Sequence, residues 1–184
     1  MWLLNHWSKK ISDSKNILNK SGKKFYSQND EDGILLEILK RIKKNNGSFL
    51  EIGVTGTENN TIILLMLGWK GIWIDSQKID INLNENSRLK FIKEFIDKDN
   101  CIKTLKGGIQ KLNLKNKDIN VISIDIDGND FFIAETLLNN GYKPDCLIVE
   151  YNAKFPPPIL YNMPYDKNYV WKGYDDHGSS IQHW

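Results

Sequence analysis

Ser48-Phe49-Leu50-Glu51-Ile52-Gly53-Val54-Thr55-Gly56 is the stretch that decides the fold. It is a short apolar run with little polar alternation, and two glycines close it. Thr57-Glu58-Asn59-Asn60-Thr61 then opens a helical stretch. A strand buried on both faces has this composition, because a parallel sheet is covered by helices above and below.

The same unit recurs downstream. Apolar runs at Gly71–Asp75, Phe91–Asp97, Ile119–Asp125 and Asp145–Tyr151 follow the first run, Ser48–Gly53. Helical stretches are expected between them at 59–67, 78–90, 98–113 and 130–140. Upstream, Ile34, Leu35, Ile38, Leu39 and Ile42 form the stripe of an amphipathic helix. Ser27-Gln28-Asn29-Asp30 offers cap side chains at its start, and Asn45-Asn46-Gly47 ends it. Alternating strands and helices predict a doubly wound α/β domain with a mainly parallel, Rossmann-like sheet.

The 184 residues suit one such domain. Residues 1–24 read as a leader, 25–184 as the domain, and 151–184 as a long loop or lid. All five prolines lie beyond residue 143, and eight of the 20 aromatic residues lie from Tyr151 onward. A net charge of +2 gives no reason to expect nucleic acid or an anionic membrane as partner. The longest apolar run, Ile62 to Leu67, is too short to span a bilayer. Cys101 and Cys146 lack metal-ligand spacing and read as free thiols. A soluble, cytoplasmic protein is expected; its oligomeric state stays open.

In a doubly wound sheet, ligands lie beyond the carboxyl ends of the strands. Each run ends in an acid here: Glu51, Asp75, Asp97, Asp125 with Asp127 and Asp130, and Glu150. Capping explains any one of them, but crowding like charges raises the energy of all five tips. The turn Gly53-Val54-Thr55-Gly56 lacks the GxGxxG pattern of a dinucleotide site, and Glu51 and Glu58 put negative charge where phosphate would sit. S-adenosylmethionine carries an ammonium and a sulfonium and no phosphate, so it suits the pattern better. Glu51 with Gly53, Gly56 and Asn60 would face its methionine end, Asp75 its ribose hydroxyls and Asp97 its adenine amino group. Asp125 completes the acidic edge.

Tyr26-Ser27-Gln28-Asn29-Asp30-Glu31-Asp32-Gly33, Glu51-Ile52-Gly53, Glu58-Asn59-Asn60-Thr61 and Gly68-Trp69-Lys70-Gly71-Ile72-Trp73-Ile74-Asp75 together resemble FkbM-type methyltransferases. The segments Ser123–Asp130, Val149–Pro156, Pro164-Tyr165-Asp166 and Tyr169-Val170-Trp171-Lys172-Gly173 extend that resemblance over about residues 25 to 181. It implies a class I methyltransferase fold, S-adenosylmethionine as cofactor, and methyl transfer to oxygen on a sugar or small-metabolite acceptor. Two departures accompany it. The glycine turn is about one residue short, and the chain ends at Trp184 before the further helix and antiparallel hairpin with which the fold usually closes.

Methyl transfer needs positioning and removal of the acceptor's proton. Asp127, Asp130 and His177 are the candidate bases, with Asp127 preferred. Asp130 has another role available as a helix cap, and His177 as a solvated loop residue. Asp125, Asp127, Asn129, Asp130 and Glu150 would also suit Mg²⁺, which keeps a metal-assisted version open. An EF-hand is excluded, because Thr136 stands at the twelfth position where glutamate is needed. The competing class is a non-catalytic binding protein of the same fold, and a nicotinamide oxidoreductase ranks third.

Overall fold

The computed structural model describes residues 17–79, 88–115 and 118–184. Five strands form one sheet: β1 (Ser48–Ile52), β2 (Lys70–Asp75), β3 (Leu89–Lys93), β4 (Val121–Ile124) and β5 (Cys146–Val149). Their order is β3-β2-β1-β4-β5, and every pairing is parallel. The expected α/β architecture is therefore present. The order reverses between β1 and β4, where Ile52 stands beside Ile124. That reversal opens a crevice at the strand tips.

Four helices cover the sheet: α1 (Glu31–Arg41), α2 (Ile62–Met66), α3 (Cys101–Lys111) and α4 (Asp130–Asn139). One core joins α3 and α4 to the sheet through Leu105, Ile109, Ile133 and Leu137 against Leu50, Ile72 and Ile122. The other sets Leu35, Leu39 and Leu64 of α1 and α2 against Phe49, Trp73 and Val121. Successive residues of β1 thus serve opposite cores, which explains its unbroken apolar run. No helix among the described residues is long and apolar enough to cross a membrane. Both cysteines are free; burial pushes the Cys101 thiol up to about 11.

Several boundaries differ from expectation, for physical reasons. Helix α1 receives no side-chain cap from Asp30. Its own Asp32 turns back instead, and one carboxylate oxygen accepts the N–H groups of Phe25, Tyr26 and Ser27 at 2.6–2.8 Å. Helix α2 is only five residues long, and the N–H groups of Asn60 and Thr61 just before it donate to Glu51. Of the helix expected over 78–90, residues 80–87 lie outside the described residues, while Leu89 and Lys90 belong to β3. Strand β3 ends at Lys93, four residues before Asp97. Residues 1–16 of the expected leader also lie outside the described residues. Lys23 exchanges backbone hydrogen bonds with Asp30 and Gly33, which lays residues 21–23 against the start of α1.

Candidate functional site

A cavity of about 870 Å³ lies over the tips of β1, β2 and β4 and is partly closed by the tail. Glu51, Gly53, Asn60, Asp75, Asp125 and Asp127 all line it. Four of the five expected acidic tips, Glu51, Asp75, Asp125 with Asp127, and Glu150, therefore share one chamber, and the one at Asp97 does not. Gly56, Asp97, Asp130 and His177 are not in its wall.

The floor depends on Gly53. Its φ is +86°, and a Cβ there would lie 1.6 Å from the Asp125 carbonyl oxygen. Only glycine lets the β1 and β4 tips approach so closely. Above this point Asp75 holds the turn: one carboxylate oxygen accepts the Val54 N–H at 3.0 Å and the other the Gln77 N–H at 2.6 Å. These bonds fix both oxygens at the cavity wall and leave further lone pairs for a ligand's hydroxyls.

Glu51 is more committed. Fully buried, it accepts the N–H groups of Asn60 and Thr61 and the Thr61 hydroxyl, which in turn accepts the Trp73 indole N–H at 2.9 Å. Burial raises its carboxyl to about 7 against the lowering effect of those bonds. It shapes the loop directly and holds Asn60, whose side-chain amide donates to the Ser123 hydroxyl at 3.1 Å. Gly56 has a similar structural duty; its φ is +89° and its N–H donates to the Asn59 side chain at 2.8 Å.

Asp97 lies outside the cavity. Its carboxylate accepts the N–H groups of Asp99 and Asn100 and pairs with Lys167 at 3.3 Å. These partners hold it below the usual carboxylate range although burial pushes the other way. The wall beside β2 is formed instead by Glu94, Phe95 and Ile96. An apolar run that continued past the strand had made Asp97 look like its tip.

The β4 tip divides its labour. Asp130 accepts the N–H groups of Ile126 and Gly128, each at 2.8 Å, and so ties the turn to α4. Burial raises its carboxyl. Asn129 exchanges hydrogen bonds with the Asp166 backbone. Gly128 admits the Tyr169 ring, which a Cβ there would meet at 2.4 Å. Three of four residues thus anchor the turn and dock the tail, and Asp127 is left facing the cavity with a backbone φ of +59°. No hydrogen bond among the described residues reaches the carboxylates of Asp125 or Asp127.

Asp125, Asp127 and Glu150 converge: each offers a carboxylate oxygen, and the three oxygens lie within 4.8 Å of one another. Their crowding shows in their protonation. Burial first, and then the charges of Asp130 and Asp127, raise Asp125 to about 6. Burial and then Asp125, Asp130 and Asp127 push Glu150 up to about 8. His177 sits behind Glu150, its Nε2 4.0 Å from Oε1, and its Nδ1 is 3.0 Å from the Tyr174 carbonyl oxygen. In all, eight carboxylates line the cavity against one cation, Lys78, among the described residues. Glu150 and Trp171 are the wall residues that strand-tip reasoning undervalued. The first was visible as the fifth tip, and the second belongs to the aromatic tail.

No family model matches the chain, and a search of curated proteins gave no match either.

Proposed function

We propose that the chain is a methyltransferase domain that binds S-adenosylmethionine and transfers its methyl group to oxygen on a sugar or small-metabolite acceptor. One observation carries this reading: a glycine-floored cavity at the β1–β4 reversal whose wall, among the described residues, holds eight carboxylates and one lysine. Such a wall repels phosphate and favours a cation. The resemblance of its sequence segments to FkbM-type methyltransferases supports the same reading.

The cofactor's contribution is an electrophilic methyl group on a positively charged sulfur. The residues do the rest. Asp75, with both oxygens fixed, accepts the ribose hydroxyls. Phe95, Ile96 and Ile79 provide an apolar wall on that side for the adenine. Gly53 and Asn60 form the floor beside the methionine end. Asp127, free of hydrogen bonds from the described residues, takes the acceptor's proton, while Asp130 and His177 position the turn and Glu150. Alignment of the acceptor oxygen in the partly closed cavity supplies most of the rate gain.

A second reading rests on the convergence of Asp125, Asp127 and Glu150. Three hard oxygen donors so close together suit Mg²⁺ in number and kind, and a metal there would orient the acceptor's oxygens. Methyl transfer measured with and without EDTA decides between a proton-abstraction site and a metal-assisted one. Calorimetry with S-adenosylmethionine tests the shared premise. Micromolar binding, about −8 kcal/mol, weakened at least tenfold by Asp75→Ala, is expected. Absence of binding would favour the non-catalytic alternative.

A further inference from the structure

The lid brings an aromatic surface into the same cavity as the carboxylate cluster, with His177 next to both Trp171 and Glu150. Trp171 lines the cavity and is still 45% exposed, so it contributes little to either core. It is nevertheless held: its indole N–H donates to the Tyr174 carbonyl at 2.9 Å, and its ring lies 5.6 Å from His177 at 56°. Two contacts just upstream fix the segment that carries it. Tyr169 rests on Gly128, and Asp166 exchanges hydrogen bonds with Asn129. Because the N–H already has a partner, the ring surface is what Trp171 has left to offer a ligand.

Charge then narrows what that ligand can be. Glu58 is paired with Lys24 at 3.1 Å, and Glu51 is enclosed by its own loop. Asp125, Asp127 and Glu150 have no cationic partner among the described residues except His177, which is neutral unless protonated. S-adenosylmethionine brings two positive charges and one negative, so one net charge meets three convergent carboxyl groups, of which Glu150 stays largely protonated near pH 7 until a further cation draws it into the ionised form. An aromatic face and an acidic cluster without a lysine or arginine partner among the described residues, sharing one cavity, suit an ammonium group.

We propose that Trp171, Asp127 and Glu150 form the acceptor subsite, and that it selects a hydroxyl-bearing amine, the amino-sugar or amino-alcohol class. This deepens the methyltransferase reading and rests on it for the meaning of "acceptor". The ammonium lies between the indole face and the carboxylates, and it brings a neighbouring hydroxyl to Asp127. Phosphorylated acceptors are repelled by the same wall, and neutral ones leave the cluster uncompensated.

Three probes of one ring shape and different charge test it: D-glucosamine, N-acetyl-D-glucosamine and D-glucose 6-phosphate. Their binding to the full chain is measured at pH 7 with EDTA by saturation-transfer NMR and titration. Glucosamine is expected to bind at least tenfold more tightly than its N-acetyl form, with no binding of the phosphate. Trp171→Ala should weaken glucosamine at least fivefold and leave S-adenosylmethionine affinity within twofold, and Trp171→Phe should restore most of the loss. Equal binding of the three sugars, preference for the phosphate, or no binding of any overturns the subsite. So does a Trp171→Ala chain that keeps glucosamine affinity. Glucosamine binding without S-adenosylmethionine binding supports the cation subsite and removes the methyltransferase reading, so the two failures are distinct.

Discussion

Lowering the pH should loosen the cavity's hold on S-adenosylmethionine, and the structure sets the size of the effect. Glu150 titrates near 8 in the free protein, raised first by burial and then by Asp125, Asp130 and Asp127. A bound cation favours its ionised form, so binding expels the proton and affinity rises with pH until the carboxyl is already ionised. With a value near 8, about one Glu150 in a hundred is ionised at pH 6 and half at pH 8, a ceiling of about fiftyfold in affinity. The side chain is 32% exposed, and water and salt screen part of that coupling, so about tenfold is expected. Asp125, near 6, adds roughly twofold over the same range. Calorimetry at pH 6 and pH 8, in buffers of differing ionisation enthalpy and with EDTA present, measures both the affinity and the protons released. Glu150→Gln should reduce the change to the twofold of Asp125. Affinity that stays flat, or that strengthens on acidification, refutes the electrostatic reasoning.

The same raised carboxyls act oppositely on the ligand-free fold. Glu150 and Glu51 bind protons more tightly when folded than when unfolded, so their contribution to stability is complete below about pH 4.5 and is lost as pH rises through about 7 to 8. Thermal melting of the ligand-free chain should therefore decline between pH 5 and pH 8, and Glu150→Gln should flatten the decline. Gly53→Ala puts a Cβ against the Asp125 carbonyl at a positive φ, and a loss of more than about 3 kcal/mol in denaturant melts is expected. Asp127→Asn should lower methyl transfer at least a hundredfold and leave S-adenosylmethionine affinity within threefold, as read by single-turnover kinetics and calorimetry.

The sheet was legible because strands covered on both faces carry unbroken apolar runs, and five such runs alternate with helical stretches. The shared acidic cavity was legible too, since a parallel sheet brings all its carboxyl ends to one edge. Residue roles were harder to read because they depend on contacts distant in sequence. Asp97 looked like a strand tip only because Phe95 and Ile96 prolong the apolar run past the end of β3. Glu51 and Asp32 stabilise loops far along the chain that no local cap pattern announces. In Asp127-Gly128-Asn129-Asp130, an ordinary strand-to-helix turn by composition, the lid contacts of Gly128 and Asn129 separate the anchoring residues from the free one. Trp171 could be placed on a lid, but only the bond from its indole N–H shows which part of it remains for a ligand.

A cavity that attracts a cation and rejects phosphate underlies each of these expectations. The most direct measurement is titration of the purified chain with S-adenosylmethionine and, separately, with NAD⁺ under the same conditions. Micromolar affinity for the first and none detectable for the second is predicted. Binding of the dinucleotide with no response to the sulfonium compound would contradict it.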